Sequence, residues 1–144
     1  MTGLQSYKFG RTITIPLTHG KGLPESVYVG LNGNLAAGLH SLILLEVDVE
    51  SGQWVTIPWA LEQLLTFSAM TRDRSIKPQT LVVGLARIDA PDMVVKAASA
   101  SELMGREFGK PPHCIIVPGK LHFVEAEALH VFCDAPRELV GSTN

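Results

Sequence analysis

Cysteine is scarce: the 144-residue chain holds two, Cys114 and Cys133, and they form no C-x-x-C pair. That spacing argues against a zinc site and against a disulfide framework. Both lie in apolar runs, so buried free thiols and a reducing, cytoplasmic compartment are expected. Long hydrophobic runs are missing too. No stretch reaches the ~18 apolar residues that a membrane-spanning helix needs, so no membrane association is expected. The start, "MTGLQSYKFGR", is polar and has no apolar core of a signal peptide. Neither sign of charge dominates: 12 basic and 14 acidic residues give a net charge of −2, which argues against a surface for nucleic acid. The G-x-G-x-x-G, P-loop and G-x-S-x-G patterns are all absent, and the glycines of "GLNGNLAAG" lack the strand-to-helix context of a nucleotide loop.

What is present is apolar. The chain is 46% hydrophobic with a mean hydropathy of +0.21, and its length suits one domain with a real core. "RTITI" at 11–15 alternates and is β-branched, so it reads as a strand. Residues 16–26 read as a loop. Pro24-Glu25-Ser26 opens a helix to about Ala37, with Gly38 beyond its end. "HSLILLEVDV", 40–49, is a nearly continuous apolar run suited to a strand covered on both faces. Thr56 caps an amphipathic helix over 55–70, with Pro58 in its first turn. The charged segment 71–79 reads as an exposed loop. "TLVVGLARI" and "HCIIVP" are two further buried strands, and 92–99 is a shorter one. Ser99 or Ser101 caps a short helix, and 120–132 is the last helix before Pro136. Residues Gly141 to Asn144 read as a frayed tail. The alternation predicts an α/β domain: a single layered unit with a mixed, largely buried sheet of about five strands and flanking helices. In open α/β sheets the ligand crevice lies beyond the carboxyl ends of the strands. Those ends are Leu45–Glu46, Arg87–Ile88 and Val117–Gly119.

Few residues offer chemistry. His122 and Glu125 share a helix face, as do Glu127 and His130, but the two pairs point about 140° apart. One convergent metal site is not supported, and an ordinary polar helix face is the simpler reading. Lys120, after Gly119 at a helix start, has two readings: an anion contact or a solvated lysine. His113 follows Pro111-Pro112. Each proline holds the residue before it extended, and neither carries a backbone N–H. Their flat apolar surface could take a planar ligand, with the His113 ring and backbone against its nitrogens. A histidine satisfied by hydrogen bonds at a strand start competes with that reading.

A resemblance bears on these alternatives. "TGLQSYKFGRTITI", "PESVY", "NLAAGLHSLILLEV", "ALEQLL", "LVVGLAR", "EFGKPPHCIIVPGKLHFVEAEAL" and "APREL", in this order, resemble the C-terminal half of diphthine synthase, a methyltransferase family of the tetrapyrrole-methylase fold group. The resemblance implies methyl transfer from S-adenosylmethionine to a modified histidine of elongation factor 2, on the route to diphthamide. It implies a homodimer of two-domain subunits with the cofactor between the domains. The N-terminal domain, with its Gly-Asp-Pro cofactor loop, is expected to be absent from this chain, which leaves residues 1–144 as the second domain, inactive alone. The cofactor contacts carried over are Leu45, Ile88 and His113. At Asp89 the family more often has glycine. No catalytic residue and no metal ligand is assigned. The alternative, of another class, is a non-catalytic α/β module that only associates or dimerises. A metal-dependent hydrolase on the last helix rests on His122 and Glu125 alone.

Overall fold

A computed structural model describes residues 2–18, 22–71 and 76–140. Much of the expected charged loop, and the tail from Gly141 to Asn144, lie outside the described residues. A 3-10 turn at Ser6–Lys8 leads into strand β1 (Ile13–Ile15), helix α1 (Glu25–Ala36), strand β2 (Ser41–Leu45) and a two-stranded hairpin of β3 (Val47–Asp48) and β4 (Gln53–Trp54). Then come α2 (Ile57–Met70), β5 (Leu81–Ala86), β6 (Val94–Ser99), α3 (Ala100–Met104), β7 (His113–Val117), α4 (Phe123–Cys133) and α5 (Arg137–Val140). The local signals act as their chemistry requires. The Thr56 hydroxyl accepts from Trp59 N–H at 3.2 Å, and Ser99 Oγ accepts from Glu102 N–H at 3.2 Å. Gly38, past the end of α1, has φ +74°, a conformation that suits glycine.

Five strands form the main sheet in the order β1-β2-β7-β5-β6. Only β1 and β2 are parallel; β7 is antiparallel to both β2 and β5, and β5 is antiparallel to β6. The mixed sheet follows the expected class. The run 40–49 does not stay one strand: it breaks at Glu46, and Val47–Asp48 turn away into the hairpin.

Alternation along the strands divides the core in two. Ile13, Ile43, Leu45, Val82, Ala86, Ile115 and Val117 face α1, α2 and α3. Leu81, Val83, Leu85, Cys114 and Ile116 face α4 and α5. β5 and β7 are buried at every residue, as continuous apolar runs predict. In β5, Gly84 leaves room for a neighbour: a Cβ there would stand 2.6 Å from the Phe108 ring.

A buried carboxylate ties the far end of the sheet together. Glu125 is fully buried. It accepts from Lys8 Nζ at 2.5 Å, Gln5 N–H at 3.0 Å, His122 N–H at 3.0 Å and His40 Nε2 at 2.8 Å. His40 Nδ1 accepts from Gly119 N–H at 2.9 Å, so the ring's proton sits on Nε2 and is donated to Glu125. Glu125 therefore departs from the expected polar helix face. Period alone placed it beside exposed neighbours, but the N-terminal segment folds over it. His122 caps α4, its Nδ1 accepting from Val124 N–H at 3.2 Å, so His122 and Glu125 form a reciprocal cap. Lys120 precedes the helix instead of opening it, and its carbonyl accepts from Lys8 Nζ at 2.8 Å.

Burial favours the neutral form of Glu125, but the four donors outweigh it and hold the carboxyl at about 2, below its ordinary 4.5. A depressed carboxyl contributes stability above the unfolded value, and that stability is lost as pH falls from about 4.5 toward 2. The contribution is about 3 kcal/mol. Urea melts from pH 7 down to pH ~2.5 should show this loss, and Glu125→Gln should be less stable at neutral pH with a flatter acid limb. Parallel profiles for the two proteins would count against the assignment.

Candidate functional site

The antiparallel ladders gather one edge of the sheet. Ala86 pairs with His113, and Leu44 pairs with Cys114. The ends of β2 and β5 and the start of β7 therefore meet, and Leu45, Ile88 and His113 lie along the same edge. Val117–Gly119, expected in the crevice as a third carboxyl end, lies at the opposite end: the parallel-sheet rule does not apply to a strand that runs the other way.

The three residues occupy different settings. His113 is buried and lines a cleft of about 340 Å³ together with Trp54, Thr56, Pro58, Phe108 and Gly109. Leu45 is buried in the core beneath the edge. Ile88 is 43% exposed, on the turn after β5. That turn has Arg87 at φ +54° and Asp89 at φ +66°. Left-handed backbone at position 89 is where glycine is most at ease and aspartate is tolerated. Pro111 and Pro112, joined by a cis peptide bond, do not line the cleft. Its apolar wall comes instead from Pro58, Met104 and Phe108.

His113 Nε2 lies 3.0 Å from the Gly109 carbonyl. A carbonyl only accepts, so Nε2 carries the proton and Nδ1 keeps its lone pair. Nδ1 is buried and has no hydrogen-bond partner among the described residues. One ring nitrogen thus matches the satisfied-histidine reading, and the other is left open. Burial lowers the His113 pKa below 6.5; hydrogen bonds with the Gly109 and Lys110 backbone oppose this, and the Arg87 charge adds to the lowering. The ring is neutral at pH 7.

Arg87 holds the cleft wall. Its Nη1 donates to the Phe108 carbonyl at 2.7 Å and also to the Lys110 carbonyl. Its Nε lies 2.8 Å from the Asp92 carboxylate, and its backbone N–H donates to the Pro112 carbonyl at 2.9 Å. Gly109, at φ +74°, brings its backbone close to this guanidinium: a Cβ there would stand 3.2 Å from Nη1. The strand-end rule places Arg87 at the crevice but gives it no role, and a lone tryptophan in a hairpin carries no motif. Trp54 Nε1 is the second buried atom without a partner among the described residues.

The rest of the proposed chemistry disperses. His122 and Glu125 are spent on capping and the buried ion pair. Glu127 pairs with Arg137 at 2.7 Å. Among the described residues no His, Cys, Asp and Glu side chains gather as a metal-holding group, and no helix is long and apolar enough to cross a membrane.

No protein-family model matches the chain. A diphthine synthase of Methanothermobacter thermautotrophicus is 41% identical over 140 residues, covering 97% of this chain and 53% of the relative. The diphthine synthase of Methanosarcina mazei is 39% identical over 145 residues, covering 97% of this chain and 54% of the relative. The chain is homologous to one half of the diphthine synthases. A crystal structure of diphthine synthase superposes with a TM-score of 0.79 at 31% identity, over 97% of this chain and 51% of that one. The mixed sheet and its flanking helices are thus the architecture of diphthine synthase structures. The chain spans about half the length of the curated relatives it matches, in keeping with the C-terminal half.

Arg87→Ala removes the cation that holds two carbonyls of the wall and depresses the histidine. Hydrogen bonds to a charged group contribute about 1.5–3 kcal/mol, and stability should fall by that order. NMR titration of the His113 ring should then give a midpoint closer to 6.5 than in the unmodified chain. An unmoved midpoint would separate Arg87 from the histidine.

Proposed function

We propose that this chain is the second-domain wall of an S-adenosylmethionine site in a diphthine synthase. The whole enzyme would methylate a modified histidine of elongation factor 2 in diphthamide biosynthesis. The observation that carries this reading is His113: a neutral, buried ring whose Nδ1 has no partner among the described residues, on the wall of a cleft with one apolar side, at the position carried over from the family's Pro-Pro-His motif. Leu45 and Ile88 flank it along the same sheet edge. The residues suit an adenosyl group, since a flat apolar wall and an unpaired polar atom are what a purine needs. The cofactor, when bound, supplies an electrophilic methyl group on a sulfonium.

The chain's own part is orientation. Arg87 holds the Phe108 and Lys110 carbonyls on either side of Gly109, the Gly109 carbonyl fixes the His113 tautomer, and Pro58 and Phe108 supply apolar lining on one side. Such a transfer depends on alignment and an uncharged, desolvated nucleophile. No residue here is assigned as general base. A first domain would supply the other wall, so the chain alone should have little or no methyltransferase activity.

His113→Ala, tested in a complete two-domain enzyme, should weaken S-adenosylmethionine binding by about 1–2 kcal/mol, roughly five- to thirty-fold, with the fold kept. Cys114 faces the other layer, and burial raises its thiol to about 11. Cys114→Ser should therefore lower the melting temperature and leave binding alone. Calorimetric titration and a thermal melt on both variants decide it. Undiminished binding by His113→Ala would end the pocket assignment.

The second reading, an association module, rests on the outer face of α4. Val124, Val131 and Phe132 are 49%, 63% and 69% exposed there, and apolar surface favours burial by about 25 cal/mol per Å². Both readings include homodimer formation. Sedimentation at micromolar concentration should show self-association, and a clean 15.6 kDa monomer would contradict it.

A further inference from the structure

We propose that Trp54 is a further ligand-binding residue, whose indole N–H acts with the open His113 nitrogen to read the amino edge of a 6-aminopurine in the cleft between β4 and residues 104–109. The inference rests on the adenosyl-site reading above and deepens it. Two buried side-chain atoms lack a hydrogen-bond partner among the described residues, Trp54 Nε1 and His113 Nδ1, and both residues line this one cleft. Their chemistry is opposite. An indole N–H only donates. His113 Nδ1 only accepts, because the Gly109 carbonyl keeps the ring's proton on Nε2. A buried polar atom without a partner bears its full desolvation cost, so the cleft suits a ligand that brings one acceptor and one donor.

The remaining walls narrow the class. Pro58, Met104 and Phe108 present apolar surface, and Thr56, Arg106 and Glu107 also line the cleft; the apolar side suits the face of a flat ring more than a small carboxamide. A 6-aminopurine has an N–H donor on its amino group and a ring-nitrogen acceptor beside it. A 6-oxopurine reverses the pair, with an acceptor oxygen and a ring N–H. Placed the same way, it would set an N–H against the indole N–H and an oxygen against the histidine lone pair. The two atoms therefore select amino over oxo purines. Trp59 supplies an internal control, since it lines a neighbouring cleft of about 310 Å³ that Trp54 also borders, and it is not among the residues lining the His113 cleft.

The chain has two tryptophans, so its indole ¹⁵N–H NMR spectrum has two signals, assignable with Trp54→Phe and Trp59→Phe. Titrating the chain with adenosine should move the Trp54 signal much more than that of Trp59. Inosine should bind roughly ten-fold more weakly, about 1.4 kcal/mol. Trp54→Phe keeps an aromatic ring and removes the donor; it should weaken adenosine binding roughly five-fold or more and reduce the preference over inosine, while Trp59→Phe should not. Two outcomes overturn the proposal in distinguishable ways. If His113→Ala weakens adenosine binding while the Trp54 signal stays put and Trp54→Phe binds normally, this inference fails and the adenosyl site stands. If millimolar adenosine moves neither indole signal nor the His113 ring, this inference fails, and the adenosyl site fails with it if His113→Ala in a complete two-domain enzyme also binds S-adenosylmethionine undiminished. The indole shift is read on the unmodified chain, so the test does not depend on a variant folding.

Discussion

β7 runs antiparallel to both of its neighbours, and everything chemical in this chain depends on that pairing. Had the central strand been parallel to β2 and β5, His113 would sit at the far end of the sheet, beside the buried Glu125. Instead the Ala86–His113 and Leu44–Cys114 registers bring the start of β7 to the finish of β2 and β5. The side chains then alternate. His113 points to the α1–α3 layer with Ile115 and Val117, while Cys114 points to α4 with Ile116. Adjacent residues thus serve different ends, one a cleft and the other a core.

The two ends of the sheet are built on opposite electrostatic lines. At one, a carboxylate is withdrawn from water and supplied with four donors, two of them backbone N–H groups. Every acceptor it offers is used, and the result joins the N-terminal segment, β2 and α4 into one unit. At the other end two buried atoms, Trp54 Nε1 and His113 Nδ1, have no partner among the described residues. A chain that satisfies one buried polar cluster so fully has the means to satisfy another. Two unpaired atoms on a single cleft therefore read as a place kept for a ligand and not as loose packing.

The legible parts of the fold were those with local causes. Continuous apolar runs placed β5 and β7, Thr56 marked a helix start, Ser99 and Ser101 were the two caps open for another and Ser99 is the one used, and Gly38 marked an end. Strand direction was not legible, because it is decided by how distant segments meet, and so Val117–Gly119 was assigned to the wrong end. Glu125 misled for the same reason: its burial comes from Gln5, Lys8 and His40, between 85 and 120 residues away in sequence. In the candidate site, His113 stood out through its prolines, yet those prolines do not line the cleft. Trp54, and the part Arg87 plays at the strand end already marked, come through geometry that no spacing rule encodes.

Resemblance and geometry bear on the site in different ways. The motif positions single out Leu45, Ile88 and His113, and of these only His113 lines the cleft. Leu45 is buried in the same core cluster as Val55 and Ile57, so in the proposed reading its side chain belongs to the core and its strand-end backbone is what faces the ligand. Ile88 stands exposed on a turn whose flanking residues hold left-handed backbone. An exposed isoleucine on such a turn suits contact with something outside this domain's surface. Three residues along one sheet end with such different exposures do not enclose a ligand by themselves. In the proposed reading, that asymmetry is why a second domain must close the site before the methyl donor and its acceptor can be aligned away from water.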